Sequence, residues 1–176
     1  MCDFNECERC MQDDDFLDDC LCPNSIDEVW EIADTNDFLV AMSAWLSKKC
    51  DYGENLSVLS PAEKTFFLNL ELESEVNNGG FFQYLYNTSG AHLAEAVQAL
   101  QMVGAQETAK IAGRVLAALG GKLPHDRDER EQFLEGKITD QIEQLVDDCD
   151  EAFYQYPDDL EVLNYQFAAE KRPEFG

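Results

Sequence analysis

Apolar side chains recur every three or four residues along most of the chain after residue 25, and this spacing predicts amphipathic helices. The pattern is clearest from Ala91 to Val103, and a second helix is predicted from Glu107 to Leu119. Gly104 follows the first segment and Gly120-Gly121 follows the second, and glycine at such positions commonly ends a helix. The two segments therefore predict an αα-hairpin.

Two serine motifs predict where other helices begin. The segment Ser60–Glu63 (Ser-Pro-Ala-Glu) places serine at an N-cap, proline at the first helical position and glutamate three residues after the cap. The segment Ser25–Glu28 (Ser-Ile-Asp-Glu) has the same serine-to-glutamate spacing. Apolar spacing predicts further helices over residues 38–46, about residues 139–154 and residues 160–168, and another shortly after Pro124. Together these signals predict an all-α domain of roughly six to nine helices.

The segment Asn77–Gly90 interrupts this helical pattern. It holds three glycines and three asparagines among two phenylalanines and two tyrosines, which combines backbone freedom with aromatic surface. Its Asn78-Gly79-Gly80 portion tolerates positive φ, so we expect it to end the preceding helix and redirect the chain. A short apolar helix or turn over residues 81–86 should follow, and the next helix should start after residues 87–90. We predict a structured corner that is buried on one side.

The same corner carries a set of residues at distinctive spacings. The set comprises Glu75, Asn77, Asn78, Gly79, Gly80, Phe81, Gln83, Tyr84, Asn87, Ser89 and Gly90. Followed by Ala99-Leu100 and Gly104-Ala105, it resembles the signature of a bacterial family of helical domains, over about residues 60–130. That family includes a DNA-mimic protein, an acidic dimer that occupies the DNA-binding surface of a transcription factor. The resemblance implies a helical fold, a basic DNA-binding protein as partner, and a homodimer.

The chain carries a formal net charge of −25, from 37 carboxylates and 12 lysines and arginines. Residues 1–60 hold 15 acidic and 3 basic side chains, residues 61–122 hold 6 and 4, and residues 123–176 hold 16 and 5. This distribution predicts that the nearly neutral middle supplies the core and that the flanks supply a negative surface field. Such a field disfavours direct binding to nucleic acid and attracts a basic protein partner.

Five carboxylates lie on the outer side of the helix predicted near residues 139–154. They are Asp140, Glu143, Asp147, Asp150 and Glu151. Carboxylates placed one per helical turn repeat about every 5.4 Å, which is within about a factor of two of the phosphate spacing along one DNA strand. We therefore predict that they contact the partner as phosphate surrogates, and an ordinary solvated polar face explains the same pattern equally well.

Five of the seven cysteines occur within residues 1–24, among two runs of aspartate. Cys7, Cys10, Cys20 and Cys22 could supply four thiolates to zinc, although the second pair lacks the two-residue spacing of a chelating knuckle and nearby carboxylates oppose thiol deprotonation. We favour an acidic N-terminal arm, residues 1–24, whose cysteines bind no metal, in front of a helical domain, residues 25–176. The acidic N-terminus and the lack of an apolar run near ~20 residues predict a cytoplasmic location. The odd cysteine count fits reduced thiols in that compartment.

The sequence contains no Cys-His, Ser-His-Asp or His-x-x-x-His arrangement that would support acid–base catalysis or metal-assisted hydrolysis. Glu75 is predicted to cap backbone amides that the corner frees, and a catalytic carboxylate is the alternative. We favour a non-enzymatic acidic interaction protein that needs no cofactor. Two alternatives stay open: a metal-binding regulatory module that uses the N-terminal cysteines, and a small enzyme with its site at the Asn78–Asn87 corner.

Overall fold

A computed structural model describes residues 23–176, and over these residues the backbone forms eight α-helices and no β-strand. The helices are α1 (Ile26–Trp30), α2 (Thr35–Lys49), α3 (Pro61–Tyr86), α4 (Leu93–Val103), α5 (Gln106–Ala118), α6 (Arg127–Lys137), α7 (Asp140–Phe153) and α8 (Leu160–Glu170). Short 3₁₀ turns lie at Leu56–Val58, Thr88–His92 and Arg172–Glu174. The predicted all-α class is confirmed.

The start of α3 has the capping box that the sequence predicts. The Ser60 side chain accepts a hydrogen bond from the Glu63 backbone N–H at 3.1 Å, and the Glu63 carboxylate accepts one from the Ser60 N–H at 2.7 Å. At α1 only half of the box forms, because Glu28 accepts from the backbone N–H of Asn24 instead of that of Ser25. Helix α1 ends after five residues, and α2 then starts with Asp34 as its N-cap.

Helix α3 is the central element, since α2, α4, α6, α7 and α8 all pack against it. Its fully buried side chains include Phe66, Leu72, Val76 and Phe81. The burial of such large apolar groups from both halves of one helix supplies the main driving force for folding. These five helices are therefore positioned by their contacts with α3, and the candidate functional site lies where α3 is interrupted.

The predicted αα-hairpin forms from α4 and α5, which pack against each other. Gly104 ends α4 with φ +94°, as a helix-ending glycine does. Helix α4 begins at Leu93, two residues later than the apolar spacing indicates, because Thr88–His92 forms a 3₁₀ turn. Both glycines after α5 also have positive φ.

Within residues 23–176, no helix is both long and apolar enough to cross a membrane. Cys50 and Cys149 are buried with free thiols. The four cysteines that were considered as alternative zinc ligands, Cys7, Cys10, Cys20 and Cys22, lie outside the described residues.

Candidate functional site

The glycine corner breaks α3 into a long first limb, residues 61–78, and a short second limb, residues 81–86. Gly80 has φ +74° and ψ −179°, a conformation that is essentially restricted to glycine, whereas Gly79 has φ −166° and needs no such freedom. The predicted break at Asn78-Gly79-Gly80, followed by a short apolar helix over residues 81–86, is therefore confirmed. The chain leaves the helical conformation for two residues and then resumes it, because the apolar second limb buries Phe81, Tyr84 and Leu85.

Asp150 of α7 stabilises the point where α3 resumes. Its carboxylate Oδ1 accepts a hydrogen bond from the backbone N–H of Phe81 at 2.7 Å. A Cβ atom at Gly80 would overlap the Asp150 carboxylate, so glycine is needed there for space as well as for its φ. Burial raises the pKa of Asp150, the Phe81 N–H opposes the rise, and the charge of Asp147 adds to it. Asp150 therefore serves as a tertiary cap for the second limb of α3.

Glu75 joins the two limbs through side-chain hydrogen bonds. Its Oε2 accepts from the side-chain amides of Gln83 and Asn87, both at 2.8 Å. One turn earlier on the same limb, Glu71 Oε2 accepts from the Ser89 hydroxyl at 3.0 Å. The expectation that Glu75 caps backbone amides was wrong, because the amide nearest the break is bonded to Asp150. These contacts explain why the motif spaces Glu75, Gln83 and Asn87 as it does.

Arg130 of α6 fixes the end of the corner from the other side. Its side chain is 1% exposed and donates to four backbone carbonyls: Leu85 at 3.0 Å, Asn87 at 2.7 Å, Pro124 at 3.1 Å and His125 at 2.9 Å. It forms no ion pair with any carboxylate of residues 23–176. Arg130 therefore stabilises the corner through backbone carbonyls and not through a carboxylate.

Several polar side chains of the corner are hydrogen-bonded to one another, whereas the Tyr84 hydroxyl is not. Burial raises the pKa of Glu71, the hydrogen bond from Ser89 opposes this rise, and the charge of Glu75 adds to it. Tyr84 is 0% exposed, its hydroxyl has no partner within residues 23–176, and burial raises its pKa as well. Ser89 donates to Glu71 rather than to a histidine, while His92 Nδ1 lies 2.7 Å from Glu95. These hydrogen bonds hold the break in α3, and the Ser89 hydroxyl is paired with a carboxylate rather than with an imidazole.

Helix α7 presents four of the five predicted carboxylates together. Asp140, Glu143, Asp147 and Glu151 are all exposed, and we call these four residues the acidic face. Their spacing of three or four residues, at 100° per residue, places them within an arc of about 80°. None of them forms an ion pair with a cation of residues 23–176.

Asp150, the fifth predicted residue, lies apart from the acidic face because its carboxylate turns into the corner. Asp148, which the sequence analysis did not select, is exposed beside the face and accepts a hydrogen bond from Gln144 at 3.0 Å. The opposite side of α7 buries Val146, Cys149 and Phe153. A burial pattern of this kind is visible in the apolar spacing, but the inward turn of one aspartate is not.

In residues 23–176, no group of three or more His, Cys, Asp or Glu side chains is arranged to hold a metal ion. The expectation that the N-terminal cysteines bind no metal stays a prediction, because those residues are outside this part of the chain.

One comparison with known proteins gives a match. The family model described as DMP19-like protein matches residues 57–171, which cover the corner, the hairpin, α6, α7 and α8. Neither the comparison with curated proteins nor the comparison with solved structures found a match.

Proposed function

Because the chain belongs to the family of DMP19-like proteins, we propose that it is a non-enzymatic acidic protein that occupies the nucleic-acid-binding surface of a basic protein. Membership places the chain in a family of the DNA-mimic type. The proposed partner is a protein that binds DNA or another nucleic acid, such as a transcription factor, and the proposed contact surface is the acidic face of α7.

This proposal rests on the finding that the carboxylates of the acidic face have no ion-pair partner within residues 23–176. The four carboxylates are exposed and share one side of one helix. Carboxylates that are not neutralised locally add to the field of a chain with net charge −25. A field of this sign attracts a basic surface and speeds its association. Because its charges repeat about once per helical turn, the acidic face can pair with lysines and arginines of the partner that otherwise contact phosphates.

The anchoring of α7 supports the same proposal. Val146, Cys149 and Phe153 hold one side of the helix in the core, and Asp150 ties it to Phe81 across the corner. Charges on a fixed helix keep their spacing before the partner arrives, so less conformational entropy is lost on binding. We propose that the corner acts as the structural support of the acidic face and has no chemistry of its own.

Three further properties are proposed on the strength of family membership and the charge pattern. The chain forms a homodimer, it acts in the cytoplasm, and residues 1–24 form an acidic arm that is separate from the helical domain of residues 25–176.

Capture of the partner from the source lysate tests the proposal. The tagged chain should retain a basic nucleic-acid-binding protein that elutes as salt increases, because the Debye length falls from ~10 Å at 0.1 M to ~3 Å at 1 M. Added duplex DNA should displace the chain from this partner. A partner that binds the chain and DNA at the same time would contradict mimicry.

A further inference from the structure

A cleft of about 830 Å³ lies between α2, the first limb of α3 and the segment that leads into α8. None of its lining residues belongs to α7, and it shares only Asn77 with the corner motif. A concave surface of this volume is large enough for several side chains of a bound peptide or for a small molecule. It is therefore a second candidate binding site, separate from the acidic face.

The walls of the cleft combine apolar and aromatic surface. Leu39, Val40, Trp45, Leu70 and Leu160 contribute apolar side chains. The Trp45 indole N–H is buried and has no acceptor within residues 23–176.

Two tyrosines stand at the rim of the cleft. Tyr52 is 66% exposed and Tyr156 is 45% exposed, so their rings are accessible to a ligand. The hydroxyl of Tyr156 is held by the side-chain amide of Asn77 at 2.5 Å, which limits the positions open to that ring. Exposed tyrosine rings beside carboxylates are surfaces on which cationic side chains stack.

The charged groups of the cleft are mainly negative. Glu73, Asp159 and Glu161 line it together with one cation, Lys48. Glu73 is half-buried and forms no ion pair with the cations of residues 23–176. Burial raises the pKa of Glu73, the Tyr156 hydroxyl opposes the rise, and the charges of Glu161 and Asp159 add to it. A cation that entered the cleft would compensate the charge of a carboxylate that has no cationic partner within residues 23–176.

We propose that this cleft binds a basic segment of a partner protein and seats an arginine side chain of that segment against Glu73. The guanidinium would pair with the carboxylate, and its flat faces and methylene stem would lie on the tyrosine rings and the apolar walls. Arginine suits the site better than lysine, because its guanidinium is planar, stacks on aromatic rings and is less strongly hydrated.

Other occupants fit the charge of the cleft less well. Residues 1–22 join the described chain at Pro23, which lines the cleft, but they carry eight carboxylates and one arginine. A nucleic-acid strand would meet the same repulsion. A neutral apolar molecule would cover Glu73 without compensating its charge. Charge complementarity therefore favours a basic peptide.

This inference is independent of phosphate mimicry, because it requires neither the row of charges on α7 nor competition with DNA. The test uses the full chain and a short peptide with arginines separated by leucine and serine. A counterpart peptide in which citrulline replaces each arginine keeps the shape and removes the charge. Binding is followed by NMR, through the indole N–H signal of Trp45.

The arginine peptide should shift the Trp45 signal, and the citrulline peptide should bind at least roughly tenfold more weakly, as expected for a lost charge-assisted hydrogen bond. E73Q should weaken the arginine peptide by a similar factor. E161Q provides a second variant in case E73Q fails to fold, since Glu161 is exposed and its side chain makes no hydrogen bond within residues 23–176.

The control removes the acidic face instead, through D140N, E143Q, D147N and E151Q together. At 0.15 M salt, where the Debye length is about 8 Å, this variant should bind the peptide within roughly twofold of the unmodified chain. Equal binding of the two peptides, unchanged binding to a folded E73Q variant, or no binding at all would overturn the inference. Where E73Q does not fold, unchanged binding to E161Q would overturn it. A loss confined to the acidic-face variant would also overturn it, and would place the basic peptide on α7 as the proposed function requires.

Discussion

Asp150 accepts a hydrogen bond from the backbone N–H of Phe81 at 2.7 Å and so connects α7 to the point where α3 resumes after its break. Helix α7 also carries the acidic face, on its solvent-exposed side. The residues that shape the corner therefore also fix the orientation of the charges proposed to meet the partner. The corner and the proposed contact surface are therefore parts of one structural unit.

The structure of the corner predicts that a substitution at Gly80 is tolerated less well than one at Gly79. Gly80→Val should lower the free energy of unfolding by roughly 2 kcal/mol or more, because valine is strained at positive φ and its Cβ overlaps the Asp150 carboxylate. Gly79→Val should cost less, since its φ of −166° suits any residue and the obstructing group is the Gln83 side chain.

Gly136→Ala is the control for these variants, because Gly136 lies in α6, is exposed and has open space around it. It should be neutral or stabilise by up to about 1 kcal/mol. Thermal and denaturant unfolding measure all three. Equal stability of the Gly80 and Gly136 variants would refute the account of the corner.

Arg130 should be sensitive to a change that keeps its charge. Arg130→Lys should destabilise the fold by about 2 kcal/mol or more, because an ammonium group cannot reach all four carbonyls that the guanidinium now satisfies. Arg127→Lys is the control, since Arg127 is exposed in the same helix and should change stability by no more than ~0.5 kcal/mol. Similar unfolding midpoints for the two variants would show that the carbonyl contacts of Arg130 contribute little.

The half-buried carboxylates of Glu71 and Asp150 predict a pH dependence of stability. Burial raises the pKa values of Glu71 and Asp150 in the folded state, so between the unfolded and folded pKa values the folded chain binds more protons than the unfolded chain. The contribution of these groups to the free energy of unfolding therefore decreases as pH rises through that window. E71Q removes one such group and should show a shallower decline of stability as the pH rises above about 4, the ordinary pKa of a glutamate.

Glu131→Gln controls for the loss of one negative charge, because Glu131 is exposed on α6. For this variant, the free energy of unfolding should depend on pH as steeply as in the unmodified protein, apart from a small change in general charge repulsion. Identical slopes for E71Q and the unmodified chain would exclude Glu71 as a source of the pH dependence.

The N-terminal cysteines allow a direct test of the metal alternative. We expect purified protein to contain little zinc, because the second cysteine pair has an unsuitable spacing and the surrounding carboxylates oppose thiol deprotonation. Metal analysis before and after mild chelation measures this. About one equivalent of zinc that resists chelation would favour the metal-binding module instead.

Local sequence signals predicted much of this fold, whereas the contacts that hold the corner could not be predicted in the same way. The Ser60–Glu63 cap and the glycine after α4 act over a few residues, so their meaning is visible in the sequence. Arg130 binds Leu85 from 45 residues away and Asp150 binds Phe81 from 69 residues away. Both lie in strongly charged segments, where a charged side chain is ordinarily exposed. Only the spacing of Arg130 four residues before the buried Leu134 hinted at an inward orientation.

The sequence predicted a row of exposed carboxylates on α7, but it placed Asp150 in that row. Helical periodicity placed Asp140, Glu143, Asp147 and Glu151 outside, and the structure agrees. Asp150 follows the same periodicity only loosely, and its inward turn depends on a backbone N–H that the Gly80 conformation leaves without a helical partner. A tertiary acceptor of this kind has no local signature.

The central claim is that the acidic face drives association with a basic partner, and stopped-flow or surface-based kinetics with that partner test it most directly. The variant D140N/E143Q/D147N/E151Q is compared with a control of equal charge change, E31Q/E54Q/E131Q/E174Q, whose four side chains are exposed and lie outside α7. Thermal unfolding first establishes that both variants fold. The account predicts that only the acidic-face variant associates at least roughly tenfold more slowly, with a weaker salt dependence and without competition from DNA. Equal slowing in both variants, or salt-insensitive binding that leaves DNA in place, would contradict it.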